Sequence, residues 1–224
     1  MKLSTALRDG LSIPSLIKRV RTLDDSASPK QLVEIAVESP AIAVQQISSE
    51  FLLLAELVKN ERCERLLEIG TYRGGTLFVF SRLSDANATV ISVDYPTTGF
   101  GRVLRACQNA YLPRLVRRGQ SLYLLRENSH SLGTLARVRE ILQGNKLDFL
   151  FIDGDHSYAG VRSDFEMYAP LVRSGGLLAF HDVAKTNSKE EVYRLWNEIK
   201  PNYKHAEFVH RTGPGAMGIG VLWV

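Results

Sequence analysis

From residue 64 onward, hydrophobic residues gather in short, mostly apolar runs that alternate with longer amphipathic stretches. Short apolar runs are typical of strands buried on both faces, and apolar positions three or four apart are typical of helices. The predicted strands lie near residues 65–70, 89–94, 121–125, 147–152, 175–180, 204–209 and 217–223. The predicted helices lie between the first six strands, near residues 75–83, 101–111, 131–142, 159–172 and 188–199. This alternation predicts an α/β fold with a doubly wound, mostly parallel, seven-stranded sheet.

The two ends of the chain depart from this alternation. Residues 211–216 join the last two strand-like runs and are too few for a crossover helix, which predicts an antiparallel pair at the edge of the sheet. Residues 1–60 contain no strand-like run. Their helical spacing predicts segments near residues 3–9, 12–23, 29–37 and 42–59. This helical extension is too small for a core of its own, so we predict one domain over residues 1–224, with the extension packed on a core at 61–224 or over its ligand site.

Composition restricts the class of protein. The chain has 224 residues, of which 45% are hydrophobic and 23% charged, as is ordinary for a soluble globular protein. It contains no apolar run of about 18 residues that would span a membrane. The first residues lack the apolar segment of a signal peptide. Cys63 and Cys107 form neither a disulfide framework nor a CxxC motif, so we expect a cytoplasmic protein with reduced thiols and no membrane partner.

The net charge of +4 is mild, but basic residues gather in two places. They are Lys18, Arg19 and Arg21, and then Arg102, Arg105, Arg114, Arg117 and Arg118. Solvated helix faces explain such residues most simply, and a phosphate-bearing substrate or an anionic partner is the alternative. No nucleic-acid motif accompanies them, so we expect a small-molecule partner and no nucleic acid. The apolar segment 42–59 is a candidate face for a homodimer.

Two buried strand-like runs, at 147–152 and 175–180, each end in acids and histidines. The residues that follow them are Asp153, Asp155, His156, His181 and Asp182. In open α/β sheets, ligands bind at the carboxyl ends of the strands. Because burying charged groups without a purpose is costly, these two clusters indicate a functional site.

The loop after the first strand-like run is rich in glycine and reads Glu68-x-Gly70-x-x-x-Gly74-Gly75-Thr76. Glycines at such a turn allow the backbone to approach a ligand. The dinucleotide fingerprint G-x-G-x-x-G, aligned on Gly70 and Gly75, needs glycine at residue 72 so that the backbone can reach a pyrophosphate. This chain has Tyr72 there, which argues against a dinucleotide.

Asp94 ends the second strand-like run and lies 24 residues after Gly70. Such folds place the acid that binds ribose hydroxyls about 20 residues after the loop. Glu68 in the first strand favours a cationic ligand over a pyrophosphate. A glycine loop and an acid without a pyrophosphate cradle describe a binding site that suits S-adenosylmethionine.

These motifs resemble those of the class I S-adenosylmethionine-dependent methyltransferases. The similarity is closest to the metal-dependent small-molecule O-methyltransferases, which include catechol, caffeoyl-CoA and macrolide-sugar enzymes and the cephalosporin-hydroxylase-like group. It covers residues 64–224. The resemblance implies a Rossmann-like fold and O-methylation of a small hydroxylated acceptor, such as a sugar or natural product.

The resemblance also implies roles for individual residues. The cofactor-binding residues would be Glu68, Gly70, Tyr72, Gly74, Thr76, Asp94, Ser129 and Asp153. Among them, Gly70 and Thr76 would contact the methionine moiety, Asp94 the ribose and Ser129 the adenine, while Tyr72 would pack over the cofactor. The metal ligands would be Asp153, His181 and Asp182, and the catalytic residues Asp153 and His156.

One position departs from the family pattern, because most metal-dependent relatives have an acid where this chain has His181. Mg²⁺ prefers ligands that are all oxygen, whereas an imidazole suits softer transition metals. We expect Mg²⁺ or Mn²⁺. A metal-free enzyme that uses His181 or His156 as a base is the alternative.

Structural roles and other functions compete with this interpretation. Asp153 or Asp155 could cap the following helix, and His156 could lie at its start. His130, His205 and His210 have no partnering pattern, and the spacing of Trp196 predicts packing. At the level of function, the alternatives are a nicotinamide-dependent oxidoreductase and a non-catalytic protein that retains the fold.

Overall fold

A seven-stranded sheet lies at the centre of the computed structural model, which describes residues 3–95, 99–184, 191–210 and 216–224. The strands are β1 (Arg65–Ile69), β2 (Thr89–Val93), β3 (Ser121–Leu125), β4 (Leu147–Ile152), β5 (Val172–His181), β6 (Lys204–Phe208) and β7 (Ile219–Trp223). Their order across the sheet is β3-β2-β1-β4-β5-β7-β6. Strands β1 to β5 pair in parallel, and β7 runs antiparallel to both β5 and β6. The predicted mostly parallel sheet with an antiparallel edge pair is confirmed.

The helices of the described residues are α1 (Leu3–Arg21), α2 (Pro29–Glu38), α3 (Ser48–Glu61), α4 (Gly75–Leu83), α5 (Gly99–Tyr111), α6 (Leu132–Leu142), α7 (Tyr158–Tyr168) and α8 (Val192–Ile199). Helices α4 to α8 overlap the five that the apolar spacing predicts. The predicted start of the last helix at 188–190, most of the connection 211–216 and the side chain of Arg102 lie outside the described residues.

The amino-terminal extension differs from its prediction in two places. The spacing predicts two helices near 3–9 and 12–23, but α1 is continuous through Gly10 and Pro14. Its side chains Leu16, Ile17 and Val20 are buried in the core, and this packing offsets the local cost of the glycine and proline.

The prediction of a helix from residue 42 is also wrong. A short 3-10 helix covers Pro40–Ile42, and α3 begins only at Ser48. The carbonyl oxygen of Ile42 lies so close to Gly75 that a Cβ on this glycine would be 2.0 Å away from it. Contact with the start of α4 therefore outweighs the local helical spacing, and it leads residues 43–47 towards the carboxyl edge of the sheet.

The apolar face of α3 is used within this chain. Phe51, Leu54 and Val58 are fully buried, and the ring of Phe51 packs edge-on to Phe80 of α4 with centroids 5.6 Å apart. Leu53 remains about half exposed, at 49%. The homodimer and the cytoplasmic location stay predictions. No helix in the described part of the chain is long and apolar enough to cross a membrane.

Both faces of the sheet are covered, which buries the strands and leaves their ends accessible. One face packs on α1 to α4 around Phe80 and Phe149, and the other packs on α6 to α8 around Tyr168 and Trp196. The register pairs Ile69 with Ile152 and Ile152 with Phe180. The residues that follow β1, β4 and β5 therefore emerge at the same level of the carboxyl edge.

Candidate active site

The ends of β4 and β5 bring two acids and two histidines together. His181 Nδ1 lies 3.1 Å from Asp153 Oδ1 and 3.4 Å from Asp182 Oδ2. His156 Nδ1 lies 2.7 Å from Asp182 Oδ2, and its Nε2 lies 3.5 Å from Asp153 Oδ1. Asp153, His181 and Asp182 each present a potential ligand atom, and these atoms lie within 4.8 Å of one another. The four residues that the sequence assigns to catalysis and metal binding thus form one group, which we call the acid–histidine cluster.

Each charge in the acid–histidine cluster has an opposite charge beside it. Burial alone would lower the pKa of His181, but Asp153 and Asp182 outweigh it and raise this pKa to about 10. The hydrogen bond with Asp182 raises the pKa of His156. Burial would raise the pKa of Asp182, but its hydrogen bonds with the two histidines hold this pKa far below its usual range. Two carboxylates are thereby balanced by two imidazoles that favour the protonated form.

The backbone at the end of β5 is unusual at Asp182, where φ is +62°. Aspartate tolerates this left-handed conformation better than most residues, but it still costs free energy. Hydrogen bonds from the next two amides fix the turn, since Val183 N donates to Gly218 O and Ala184 N donates to Met217 O. The strained turn holds the Asp182 carboxylate between the two histidines.

Gln46 reaches the acid–histidine cluster from the amino-terminal extension. Its Nε2 donates a hydrogen bond of 2.7 Å to Asp153 Oδ2, and the residue is only 8% exposed. This contact engages one oxygen of Asp153, while the other faces His181. No sequence motif predicts Gln46, although the expected packing of the extension over the ligand site is consistent with its position.

The glycine loop contacts the end of β4 directly. Gly70 has φ +90°, and a Cβ there would lie 2.0 Å from the carbonyl oxygen of Asp153. The sequence predicts that Gly70 serves ligand approach, and the structure adds that it is needed for this contact within the protein. Gly74, with φ +86°, precedes α4, and a Cβ there would meet Leu112. Tyr72 has φ +44° and is 43% exposed.

Glu68 lies beneath the loop and is fully buried. Its Oε1 accepts a hydrogen bond of 2.5 Å from the Thr76 hydroxyl. Burial raises the pKa of Glu68 to about 8, and its Oε2 has no hydrogen-bond partner among the described residues. Glu68 therefore supports Thr76, which lines a small cavity beside Gln46 and Asp153. A direct contact between Glu68 and a cofactor stays a prediction.

Asp94, just after β2, lies among arginines. Its carboxylate forms an ion pair with Arg105 of α5 and lies 3.9 Å from Arg126. Burial raises the pKa of Asp94, and the positive charges of the two arginines oppose this rise. Burial also lowers the pKa of Arg126, to about 10. Arg105 also donates a hydrogen bond of 2.5 Å to the Tyr72 carbonyl. The two guanidinium groups therefore surround the acid that the sequence assigns to the ribose, and Arg126 has no sequence signal that predicts this position.

One cleft of about 480 Å³ connects these parts. A volume between about 300 and 1,000 Å³ is usual for a small-molecule site. Its lining includes the predicted residues Gly70, Tyr72, Asp94, Ser129, Asp153 and His156. The other predicted residues lie beneath or beside the cleft, and they are Glu68, Gly74, Thr76, His181 and Asp182.

A second histidine–acid pair supports the wall of the cleft. His130 has no partner that the sequence indicates, yet its Nε2 lies 3.4 Å from Oδ1 of the fully buried Asp164. Burial raises the pKa of Asp164 to about 6. The hydroxyl of Tyr168 donates a hydrogen bond of 2.8 Å to the Ser129 carbonyl. These contacts from α7 fix the loop that carries Ser129.

Local contacts show whether Asp153, Asp155 and Trp196 have structural roles. Ser157 caps α7, since its hydroxyl accepts a hydrogen bond from Gly160 N, so the proposed capping role of Asp153 is wrong. Asp155 has a local structural contact, because its Oδ1 accepts a hydrogen bond from Ser157 N. Trp196 is 1% exposed and packs near Phe180, as its spacing predicts.

Comparisons with known proteins agree with this architecture. The family described as "Methyltransferase domain" matches residues 67–183, more than half of the chain. Among curated proteins, y4gI of Sinorhizobium fredii is 25% identical over 169 residues, which cover 72% of this chain and 18% of y4gI. R132 of Acanthamoeba polyphaga mimivirus is 27% identical over 133 residues, which cover 59% of this chain and 58% of R132. The matches therefore span less than two thirds of the length of either relative, and both relatives are named as uncharacterised proteins.

Solved structures show the same fold. The O-methyltransferase TomG from Streptomyces achromogenes, which is involved in tomaymycin synthesis and was solved with S-adenosylmethionine, superposes with a TM-score of 0.62. It is 16% identical, and the match covers 93% of this chain and 94% of TomG. The O-methyltransferase from Bacillus cereus, solved with S-adenosylhomocysteine, gives a TM-score of 0.58 at 16% identity and covers 100% of this chain and 92% of that one.

The sheet order, the glycine turn after β1 and the acid after β2 define the class I methyltransferase fold. The chain belongs to the methyltransferase domain family. The family and the Rossmann-like fold that the sequence motifs predict are therefore confirmed.

Proposed function

We propose that this protein is an S-adenosylmethionine-dependent O-methyltransferase that acts on a small hydroxylated acceptor, such as a sugar or natural product, with the assistance of a divalent metal. The observation that supports this most is that Gly70, Asp94 and the acid–histidine cluster meet at one cleft. Family membership supports methyl transfer. The acids and imidazoles beside the cleft support a hydroxyl as the acceptor, because its proton has to be removed.

The residues of the cleft fit S-adenosylmethionine. This molecule is a cation that carries ribose and adenine but no phosphate, and it supplies an electrophilic methyl group when bound. Asp94 offers a carboxylate for the ribose hydroxyls, and Tyr72 stands where a pyrophosphate-binding loop needs glycine. The loop with Ser129 also lines the cleft, and we expect the adenine to lie beside it.

The acid–histidine cluster fits a divalent ion. Two carboxylates need two positive charges, which the two imidazoles supply when both are protonated. A divalent ion held by Asp153, Asp182 and His181 would supply the same charge with neutral imidazoles, so protons and metal compete for the site. The imidazole of His181 favours Mn²⁺ over Mg²⁺. Such an ion makes a bound hydroxyl more acidic.

His156 is the residue that we assign as the acceptor of the hydroxyl proton. It lines the cleft with 33% of its side chain exposed, whereas His181 is 4% exposed. The Nδ1 of His156 donates to Asp182, which leaves Nε2 as the nitrogen that accepts a proton. Asp182 therefore orients His156 in addition to being a proposed metal ligand.

The amino-terminal extension is the part that we expect to select the acceptor. Gln45 lines the cleft, and the adjacent Gln46 holds Asp153. The extension thus contributes to the lining of the cleft. We therefore expect changes in this segment to change which hydroxylated molecule the protein accepts.

A thermal-shift comparison tests the proposal against its two competitors. A ligand that binds only the folded state stabilises it, by about 2.7 kcal/mol at 100 times its Kd. We expect S-adenosylmethionine and S-adenosylhomocysteine to raise the Tm and NAD to leave it unchanged. A rise with NAD alone would indicate an oxidoreductase. Binding of S-adenosylmethionine without methyl transfer to any member of a panel of hydroxylated acceptors, with Mn²⁺ present, would favour a non-catalytic protein.

A further inference from the structure

A second concave surface lies at the opposite, amino-terminal edge of the sheet. It forms where the ends of α1 and α4 meet the segment before β3, and its volume is about 830 Å³. Asn87 and Gly119, which line it, precede β2 and β3, so the surface faces away from the candidate active site. We call it the arginine groove, and its charged residues are Arg21, Asp25, Arg82, Arg114, Arg117 and Arg118.

The arginine groove has far more positive than negative charge. Elsewhere in the described chain, many arginines have an acid of their own, as in the pairs Arg19–Glu38, Arg162–Glu166 and Arg194–Glu191. In the groove, five guanidinium groups share one acid, Asp25, among the described lining residues. Simple exposure to solvent does not account for them all, because Arg82 is only 7% exposed.

Arg117 and Arg82 are two guanidinium groups of the groove that lie close to Asp25. Arg117 has a structural role, since its terminal nitrogens donate to the carbonyl oxygens of Ser84 and Asp25. The Nε atoms of Arg82 and Arg117 both have no hydrogen-bond partner among the described residues. The Asp25 carboxylate lies 3.6 Å from Nη2 of Arg82 and 3.5 Å from Nε of Arg117. Burial and the neighbouring Arg117 both lower the pKa of Arg82. A buried guanidinium with so few partners is costly, and a bound anion would supply the missing contacts.

We propose that the arginine groove binds a phosphate ester of small-molecule size, with Arg82 at its floor and the exposed Arg114 and Arg118 at its rim. Guanidinium groups bind phosphate oxygens through paired hydrogen bonds. Leu23 and Val116 give the groove an apolar wall, which suits the organic part of an ester better than an inorganic ion alone. The site lies at the other edge of the sheet from the cleft and does not depend on the proposed methyl transfer.

Calorimetric titration with ADP and with inorganic pyrophosphate, both in buffer that contains a metal chelator, tests this proposal. We expect both probes to bind the wild-type chain and ADP to bind more tightly. The double variant Arg114→Gln/Arg118→Gln should weaken both affinities roughly tenfold or more. The control Arg62→Gln/Arg139→Gln removes the same charge at exposed positions outside the groove, and it should change them less than about twofold.

Arg82→Lys tests the floor of the groove while keeping the charge. This variant should bind ADP roughly fivefold or more weakly, because lysine cannot make the paired hydrogen bonds of a guanidinium group. Its Tm should stay close to that of the wild type. Three results would overturn the proposal. These are absence of ADP and pyrophosphate binding to the wild type, equal losses in both double variants, and binding of a single-stranded oligonucleotide to the groove that ADP does not displace.

Discussion

The two edges of the sheet differ in how their charges are balanced. At the carboxyl edge, Asp153 and Asp182 face His156 and His181, so positive and negative groups balance within the protein. At the amino edge, five arginines share the single acid Asp25 among the described lining residues. The balanced cluster can exchange its protons for a metal ion without a change in net charge, whereas the arginine groove needs an anion from outside. The balance of charge thus indicates which edge supports chemistry and which edge only binds.

Asp182→Asn should have the largest effect, because it removes one carboxylate from the balanced edge. Asparagine keeps the shape and tolerates positive φ, so the fold should persist. We expect Mn²⁺ affinity, measured by electron paramagnetic resonance, to fall on the order of a hundredfold, since even outer-shell changes cost about 10–100-fold. The affinity for S-adenosylmethionine should be nearly unchanged.

Asp155→Asn is the matched control for that experiment. Asp155 is close in sequence to the acid–histidine cluster, but its Oδ1 accepts a hydrogen bond from Ser157 N. We expect wild-type Mn²⁺ affinity in this variant. Equal losses of Mn²⁺ affinity in the two variants would contradict the ligand assignment.

Gly70→Ala should destabilise the carboxyl edge itself. The new Cβ would lie 2.0 Å from the Asp153 carbonyl oxygen, and the residue has φ +90°. We expect the free energy of unfolding in urea to fall by about 3 kcal/mol or more, from backbone strain and overpacking together. Gly144→Ala is the control, because its φ is +81° but nothing lies within 4 Å of the new Cβ. It should cost only about 1 kcal/mol, and similar losses at both positions would show that the contact with Asp153 is unimportant.

Glu68→Gln should change how stability depends on pH. Burial raises the pKa of Glu68 from the ordinary 4.5 to about 8, so the folded chain keeps a proton that the unfolded chain releases. The stabilising contribution is therefore complete below pH 4.5 and decreases as the pH rises to about 8. The glutamine variant lacks this decrease and can still accept the hydrogen bond from Thr76.

Between acidic pH and pH above 8, the free energy of unfolding of the wild type should fall by about 5 kcal/mol relative to that of the Glu68→Gln variant. Urea denaturation of both proteins at several pH values measures this. Parallel profiles for the two proteins would mean that Glu68 titrates normally in the folded state.

Asp25→Asn should have the smallest effect and would sharpen the contrast between the edges. The Asp25 side chain is 81% exposed, so its loss should cost less than about 1 kcal/mol of stability. Because the variant removes the one acid of the groove, we expect pyrophosphate affinity to rise about twofold to threefold. Calorimetry measures this affinity. A decrease in pyrophosphate affinity would show that Asp25 positions Arg82 and Arg117 for the anion.

The positions of the main strands and of the acid–histidine cluster could be predicted because both depend on local sequence. Mostly apolar runs end directly at Asp153 and His181, and the carboxyl ends of parallel strands share one edge. The supporting contacts could not be predicted in this way. Gln46 and Asp153 are 107 residues apart, and the pairs of Asp94 with Arg126 and of Asp164 with His130 also join separate elements.

The extension was harder to predict for a related reason. Helical spacing at residues 42–47 is present, but close packing of Ile42 on Gly75 decides the local structure. Continuity of α1 through Pro14 likewise depends on burial of its apolar face. In both places tertiary contacts outweigh local preference.

The most direct test of the central claim is calorimetric titration of S-adenosylmethionine into the wild-type chain and into Asp94→Asn, with Asp85→Asn at the opposite edge as the control. We predict one binding site in the wild type and in the control. Loss of the charge-assisted bond to the ribose should weaken binding in Asp94→Asn by about 1.5–3 kcal/mol. Absence of binding to the wild type, or equal affinity in all three proteins, would contradict the placement of the cofactor at the carboxyl edge.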